Sequence, residues 1–506
     1  MILPIILSKI IICTLICQSG SVLVDSSGNG YTLWNQSREC ISYNPAPDID
    51  ALIIVNRAYN PTGKLNTHEA PGDLSAWVHY DPYQQTFGPA RYPTTYAGYP
   101  WPFIAFTWLL GSSFGGYGGM CEYIAGWFTC DWEVLRDFGF FGDLVILKQL
   151  PDTNVLAVCK HMDTSLKYIL FDPVLNPLDT GTIAVNATYW GYDINGGIAM
   201  VFYYDSLNNL CYKTTTDGTN WSPEYTWDLA FTPPYPNDSL TFTQMALTDN
   251  GQPLLVFECR NLDDNTYPYY GKIYVSYASG VPPVELTYPL PDTEATYPTI
   301  ATGGNKAVVI FNIPRNDLPD SLTWMDIFMC TSTDNGITWS DPINITSTSI
   351  HRIGLQQVAK RIDTLRNRIY YVFARDKVID HDPLWHILYD SLGLDPMYIY
   401  LGYSQITGIE EGERLKVEGE GLKLMVLPSV VRRDNAQIQY AIPERQRIRL
   451  DLYDVLGRKV KTIKEGIVDA GVYSYRLDSS NLTSGVYYII LQGERESKRG
   501  KILIVK

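Results

Sequence analysis

Four arginines stand at or just beyond the ends of apolar, strand-like runs: Arg57, Arg260, Arg315 and Arg375. A guanidinium is a rigid fork of N–H donors that matches a carboxylate through two parallel bonds. Gathered on one surface, such groups would grip an acidic ligand. The alternative is local pairing, with Asp376 or Asp263 for instance. Glu258 lies in a run beside Arg260, and one Glu–Arg neighbour of this kind is commonplace. Acid chemistry is harder to place. Glycoside hydrolysis needs two carboxylates flanking the scissile bond, and no such pair stands out. A Tyr–Glu nucleophile pair is equally unassignable among 37 tyrosines. The six histidines have no clustered spacing.

Asp48-Ile49-Asp50 and Asp263-Asp264-Asn265 offer the oxygens that calcium takes, although loop carboxylates are commonly just solvated. No Cys or His spacing resembles a metal site, so no cofactor is expected beyond such a structural calcium. The Gly-rich stretch 112–119 lacks the Lys and following helix of a phosphate loop and reads as a flexible connection. Cys121 and Cys130 flank a short run and could bridge in an oxidising compartment. Cys159, Cys211, Cys259 and Cys330 sit inside apolar runs, where a thiol behaves as a small hydrophobe.

The elements that must carry these groups are strands. The chain has 506 residues, room for two or more cores, and is rich in Tyr and Trp together with Val, Ile and Thr. No apolar pattern of helical period persists beyond about three turns. One kind of strand returns at 51–57 (ALIIVNR), 102–108 (PFIAFTW), 155–160 (VLAVCK), 198–204 (IAMVFYY), 254–260 (LLVFECR), 307–312 (AVVIFN) and 369–375 (IYYVFAR). Successive copies are roughly 44 to 63 residues apart, the spacing of β-propeller blades. Turn residues precede several copies, as in Asn195-Gly196-Gly197 and Asp249-Asn250-Gly251, and a third strand follows. The pattern therefore predicts an all-β propeller over 21–407, with seven blades favoured, six possible and a pair of β-sandwiches as the alternative. The segment 31–35 (YTLWN) is expected to close the ring as an outer strand of the last blade.

The stretch Ser332-Thr333-Asp334-Asn335-Gly336-Ile337-Thr338-Trp339 resembles the Asp box, S-x-D-x-G-x-x-W, of sialidase-like BNR-repeat propellers. Thr215-Thr216-Asp217-Gly218-Thr219-Asn220-Trp221 resembles a shortened copy. The resemblance implies a structural turn between third and fourth strands, held by Ser332, Asp334, Gly336 and Trp339, and by Thr215, Asp217, Gly218 and Trp221. It implies no catalytic role for either aspartate. It also orients the ring: loops after second strands, where the four arginines stand, lie on the opposite face, on which related propellers bind ligands. The sialidase F/Y-R-I-P motif is not matched; Phe311-Asn312-Ile313-Pro314 has Asn in place of Arg.

Charge divides the chain. Residues 410–506 carry 18 Lys and Arg against 14 Asp and Glu, a net of +4 within a whole-chain net charge of −15. The acidic body argues against a nucleic-acid partner, whose phosphates it would repel. Residues 1–20 combine one Lys, a short apolar run and small residues, the pattern of a signal peptide, and no later stretch is long and apolar enough to span a bilayer. A Gly/Glu-rich linker, 408–414, leads to closely spaced alternating strands over 415–506, which predict a small Ig-like β-sandwich.

In this module Leu452-Tyr453-Asp454-Val455-Leu456-Gly457-Arg458 and Asp478-Ser479-Ser480-Asn481-Leu482-Thr483-Ser484-Gly485-Val486-Tyr487 resemble the two hallmark segments of type IX secretion sorting domains. Tyr453, Asp454, Gly457, Arg458, Leu482, Gly485 and Tyr487 carry the match, and the closing strand 501–506 (KILIVK) completes it. The usual opening Pro-Asn-Pro is replaced by Leu427-Pro428-Ser429. The resemblance implies export through the outer membrane, with secretion machinery as partner and a secreted or surface location. The expected function is binding of an extracellular glycan or other polymer. A sialidase-like glycoside hydrolase and a structural or adhesive surface protein are the alternatives.

Overall fold

The computed structural model describes residues 19–27, 39–57, 65–80, 90–98, 102–109, 116–124, 127–131, 145–161, 163–232, 239–260, 271–287, 295–314, 325–346, 353–375, 397–406, 422–427, 430–431, 436–455, 458–469, 471–477, 482–494 and 496–504. Every regular element among them is a strand. The chain divides into two units, 1–408 and 409–506.

The first unit is a seven-bladed propeller. Six consecutive four-stranded antiparallel sheets occupy 41–80, 90–131, 145–184, 188–226, 239–285 and 296–344. The seventh takes three strands from 353–405 and its fourth from the N-terminal segment. Each recurring strand of the sequence pattern is the second strand of its blade; the first strands touch in succession from the first blade to the seventh, where the first strand of the first blade meets the second strand of the seventh.

The second strands are apolar on both sides because each blade is covered twice. Along Val155–Lys160, Leu156 and Val158 pack towards the fourth blade, with Tyr192 and Val201. Val155, Ala157 and Cys159 pack with Phe103 and Ala105 of the second. The alternation that would place one face in water in a lone sheet here supplies two dry interfaces. Outer strands lose that cover: Pro177–Ala184 is exposed along most of its length. The expected hairpin turns join first to second strands, with Gly196, Gly251 and Gly304 at φ of 60, 75 and 63°.

Ring closure corrects the sequence reading. The closing strand is Ser19–Ser27, whose antiparallel register on Met397–Gln405 runs from Ser19↔Ser404 to Ser27↔Met397. The segment 31–35, expected in that role, lies outside the described residues. The strand overlaps the last two residues of the stretch read as a leader, which concealed it. Val24 enters the core shared by the first and last blades, beside Tyr43, Tyr370 and Leu401. Pairing this edge removes a row of free backbone groups from the last blade.

The second unit is a β-sandwich of a three-stranded and a five-stranded sheet around Ile438, Leu450, Leu452, Ile489 and Ile502. The closely spaced strands expected there are present. A two-residue strand, Val430–Val431, adds a parallel partner to Ser497–Ile504.

Candidate functional site

The up-and-down order of each blade puts the first-to-second and third-to-fourth turns on one face, called here the turn face. Both stretches read as Asp-box copies lie there, after the third strands Leu210–Thr215 and Met325–Ser332. The Ser332 hydroxyl donates to Asp334 Oδ1 (2.8 Å) and accepts from the Gly336 amide (2.9 Å). Asp334 also accepts from the Thr338 amide (2.8 Å), and Trp339 Nε1 donates to the Gly336 carbonyl (2.8 Å). Gly336 has φ 86°, and a Cβ there would stand 2.6 Å from Leu254 of the preceding blade. In the shorter copy Asp217 accepts from the Thr219 and Asn220 amides (2.9 and 2.8 Å). The Asn220 side chain, its strongest partner, holds that carboxyl well below the usual range. Burial alone would raise the Asp334 carboxyl, but Thr338 and Ser332 outweigh it and hold it low. Such anionic groups fasten turns and are unsuited to donate protons.

The candidate arginines divide. The backbones of Arg57, Arg260 and Arg375 end second strands on the face opposite the turns, as expected. Their side chains, and all of Arg315, lie outside the described residues. Glu258 is fully buried, where its Oε2 accepts from Thr296 Oγ1 (2.9 Å) and the Tyr297 amide (3.3 Å) of the next blade. Asp50, considered for calcium, is gripped by both Nη atoms of Arg366 (2.8 and 2.6 Å). The stretch 263–265 lies outside the described residues. Among the described residues no cluster of His, Cys, Asp and Glu could hold a metal ion. The backbones of Cys121 and Cys130 are in register across neighbouring strands of the second blade, and their side chains lie outside the described residues. Cys159, Cys211, Cys259 and Cys330 are buried.

Two clusters escaped the sequence reading. The first sits beneath a turn-face cavity of about 340 Å3 lined by Asn44, Asn195, Gly304 and Thr364. There Lys148 is ion-paired to Glu39 and stands 3.9 Å from Asp193. Lys360 reaches Glu39 Oε1 (2.7 Å) and donates to the Tyr192 carbonyl (2.9 Å). Arg361 pairs with Asp193 (2.9 Å), whose other oxygen accepts from the Leu247 amide (2.7 Å). Loss of hydration lowers the Lys148 ammonium, with Glu39 opposing the shift. Burial pushes the Asp193 carboxyl up, yet Arg361, Lys360 and Lys148 together bring it below its ordinary value. Residues from the first, third, fourth and seventh blades thus meet across the channel. With every charge partnered, the cluster is a strut and fixes which blades face one another. The signal was a lone charge in a first strand, as with Lys148 in Val145–Gln149 and Asp193 in Thr188–Asn195.

The second cluster corrects the view that the histidines are scattered. His68 and His79 are opposed across a strand pair of the first blade, with Nδ1 atoms 2.6 Å apart. Asn56 and Asn66 both donate to Asp25 of the closing strand (3.0 and 2.8 Å). The Asn56 oxygen therefore accepts from His68 Nε2 (2.8 Å), and His68 Nδ1 accepts a hydrogen bond from His79 Nδ1. Burial, then the neighbouring His68, depresses the His79 imidazole below its ordinary value, against a smaller opposing pull from Asp25.

In the second unit, Asp454 accepts from the Arg458 amide (2.9 Å) and its Nε (2.7 Å) across a tight turn. Gly457 lies outside the described residues. Tyr487 is buried and donates to the Thr483 carbonyl (3.0 Å), while Leu482 packs against the core. Tyr453 donates to Asp451 (3.1 Å).

Residues 432–506 match the secretion system C-terminal sorting domain. This domain marks the chain as secreted or attached to the surface of a Gram-negative-type bacterium. No curated protein matches the chain. Similar solved structures include an ulvan lyase, a polysaccharide lyase, with 10% identity, TM-score 0.49 and coverage of 71% of this chain and 94% of that one. An α-L-arabinanase of Penicillium chrysogenum, complexed with arabinobiose, has 13% identity, TM-score 0.40 and coverage of 76% and 98%. PorZ, a surface component of the type IX secretion system of Porphyromonas gingivalis, has 11% identity and TM-score 0.39. That match covers 92% of this chain and 59% of PorZ. At these scores none of the three brings an activity to this chain.

Proposed function

We propose that the chain is an exported propeller that binds an extracellular carbohydrate or related acidic polymer on the face opposite its tight turns, delivered through its C-terminal domain by a type IX-like pathway. The observation that carries this reading is a repeated one: the second strands of the first, fifth and seventh blades each end in an arginine on that face. Guanidinium groups delivered at equivalent points of a ring suit carboxylate or sulfate groups spaced along a polymer. The chain is placed outside the cell by its sorting domain, where such polymers occur.

Screening the full chain on a glycan array, with neutral and acidic members of each type, tests the reading. Selective retention of acidic glycans, weakened by Arg260→Ala or Arg375→Ala, is the expected result. A second reading, a diverged sialidase-like glycoside hydrolase, is favoured by the two turns built on Asp217 and Asp334. Turnover of aryl sialosides, abolished by the same two variants, would select it.

A further inference from the structure

Five of the seven first strands break their pairing at the same point, near the face opposite the turns. In each, two residues oppose one residue of the second strand: Arg91/Thr94 in the second blade, Thr188/Gly191 in the fourth, Thr241/Gln244 in the fifth, Thr296/Thr299 in the sixth and Gly354/Gln357 in the seventh bracket the irregularity. The leading residues of these bulges are Tyr92, Tyr189, Phe242, Tyr297 and Leu355. Four of the five are aromatic. A bulge re-aims a side chain out of the pleat, so a recurring bulge with a recurring ring is a device repeated around the channel mouth.

The two whose conformations are described are strained. Tyr189 and Tyr297 adopt φ of 41 and 55°, the left-handed region that a bulky residue seldom enters. Tyr189 gains little packing in return. It is 58% exposed, with an edge-on contact to Tyr204 at 6.5 Å between centroids. Its partner in the bulge, Trp190, turns into the core and is 4% exposed. The sixth-blade bulge is clamped from both sides. Glu258 of the fifth blade accepts from the Tyr297 amide, and Gln356 of the seventh donates to the Tyr297 carbonyl (2.7 Å). Both clamping side chains are fully buried, and burying a carboxylate and an amide to hold one backbone turn is expensive unless the turn is needed.

We propose that Tyr189 and Tyr297 form a collar of aromatic platforms that stacks on the sugar rings of the polymer, inside the arginine-bearing strand ends. This rests on the carbohydrate reading above and names the part of the face that does the binding. A ring face offers an apolar, flat surface to the C–H side of a pyranose, while the arginines outside it take the acidic groups.

The test uses the full chain and glycans retained by the wild type. Tyr189→Ala is expected to weaken retention about tenfold, the loss of one aromatic contact, and Tyr189→Trp to preserve it. Tyr189→Gly separates function from structure: glycine tolerates the left-handed backbone, so its thermal midpoint is expected to hold or rise while binding falls. Glu258→Gln, as a positioning change, is expected to weaken binding less than Tyr297→Ala. Unchanged binding by Tyr189→Ala and Tyr297→Ala, with the wild type still retained on glycans, overturns the collar and leaves the carbohydrate reading standing. A wild type that binds no glycan removes both. A Tyr189→Gly that loses stability yet binds fully makes the residue structural and also overturns the proposal.

Discussion

The interface between the third and fourth blades and the seam between the seventh and first use different physics. The former is a continuous apolar block, from Ile146 and Leu156 through Tyr192 to Cys211. Its blades are sequence neighbours, and little besides burial is needed to bring them together. The seam joins distant parts of the chain and adds directional bonds to its apolar core. Arg366 grips Asp50 through both Nη atoms and Asp363 through Nη1 (3.0 Å), and Tyr370 donates to Asp363 (2.6 Å). Tyr43 donates to Asp50 (2.8 Å), and Gly72 lies so near that a Cβ would stand 2.3 Å from Asp50 Oδ1. Asp25 adds bonds from the closing strand to Asn56 and Asn66. Apolar contact is indifferent to partner, whereas a fully engaged buried carboxylate accepts one arrangement of donors. Closing a ring between distant segments requires that selectivity.

The largest effect expected is at the seam. Asp363→Ala removes the buried carboxylate shared by Arg366, Arg368 and the Tyr370 hydroxyl and should cost about 3 kcal/mol in urea unfolding. It should also speed hydrogen exchange selectively in strands 19–27 and 397–405. Leu156→Ala at the generic interface should cost about 3 kcal/mol without that selective opening. If both variants open the same strands, the seam is not distinct. Asp25→Ala removes charge-assisted bonds between closing strand and first blade, and about 1–2 kcal/mol is expected by the same measurement.

Acid sharpens the contrast least, but in separable windows. The folded His79 pKa lies below its unfolded value, so its contribution is complete above about pH 6.5 and is lost as pH falls through the depressed folded value. The Asp50 carboxyl is held down chiefly by its bond to Arg366. Its contribution is complete above the unfolded value of 3.8 and is lost below that, through the folded pKa. Thermal midpoints measured from pH 7.5 to 3 should fall in two stages, and His79→Asn should remove only the first. A single stage unaffected by that change would separate the histidine pair from seam stability.

Much of the architecture was legible. The second strands stood out because cover on both faces removes every polar position, leaving runs such as IYYVFAR that differ from their surroundings. The two turns at Asp217 and Asp334 were legible because their bonds close within a few residues. Legibility failed where partners are far apart in the chain. Lys360 meets Tyr192 across 168 residues, and Cys40 donates its amide to Gln357 across 317. No local spacing encodes such pairs, so the channel strut and the seam stayed hidden. His68 and His79 were missed for a smaller reason: eleven residues become one cross-strand contact only once the register is known.

Composition, the fifty-residue return of one apolar strand and the motifs of the last hundred residues were enough to establish an all-β propeller with an export domain. These signals are local, because burial pattern and turn chemistry are written within a few residues. The number of blades, the identity of the closing strand, the pairing of Glu39, Lys148, Asp193, Lys360 and Arg361, and the bulges that lift Tyr189 and Tyr297 from their strands were decided only in three dimensions. Each depends on which blade edge meets which, and contact between remote segments is what folding adds to the sequence.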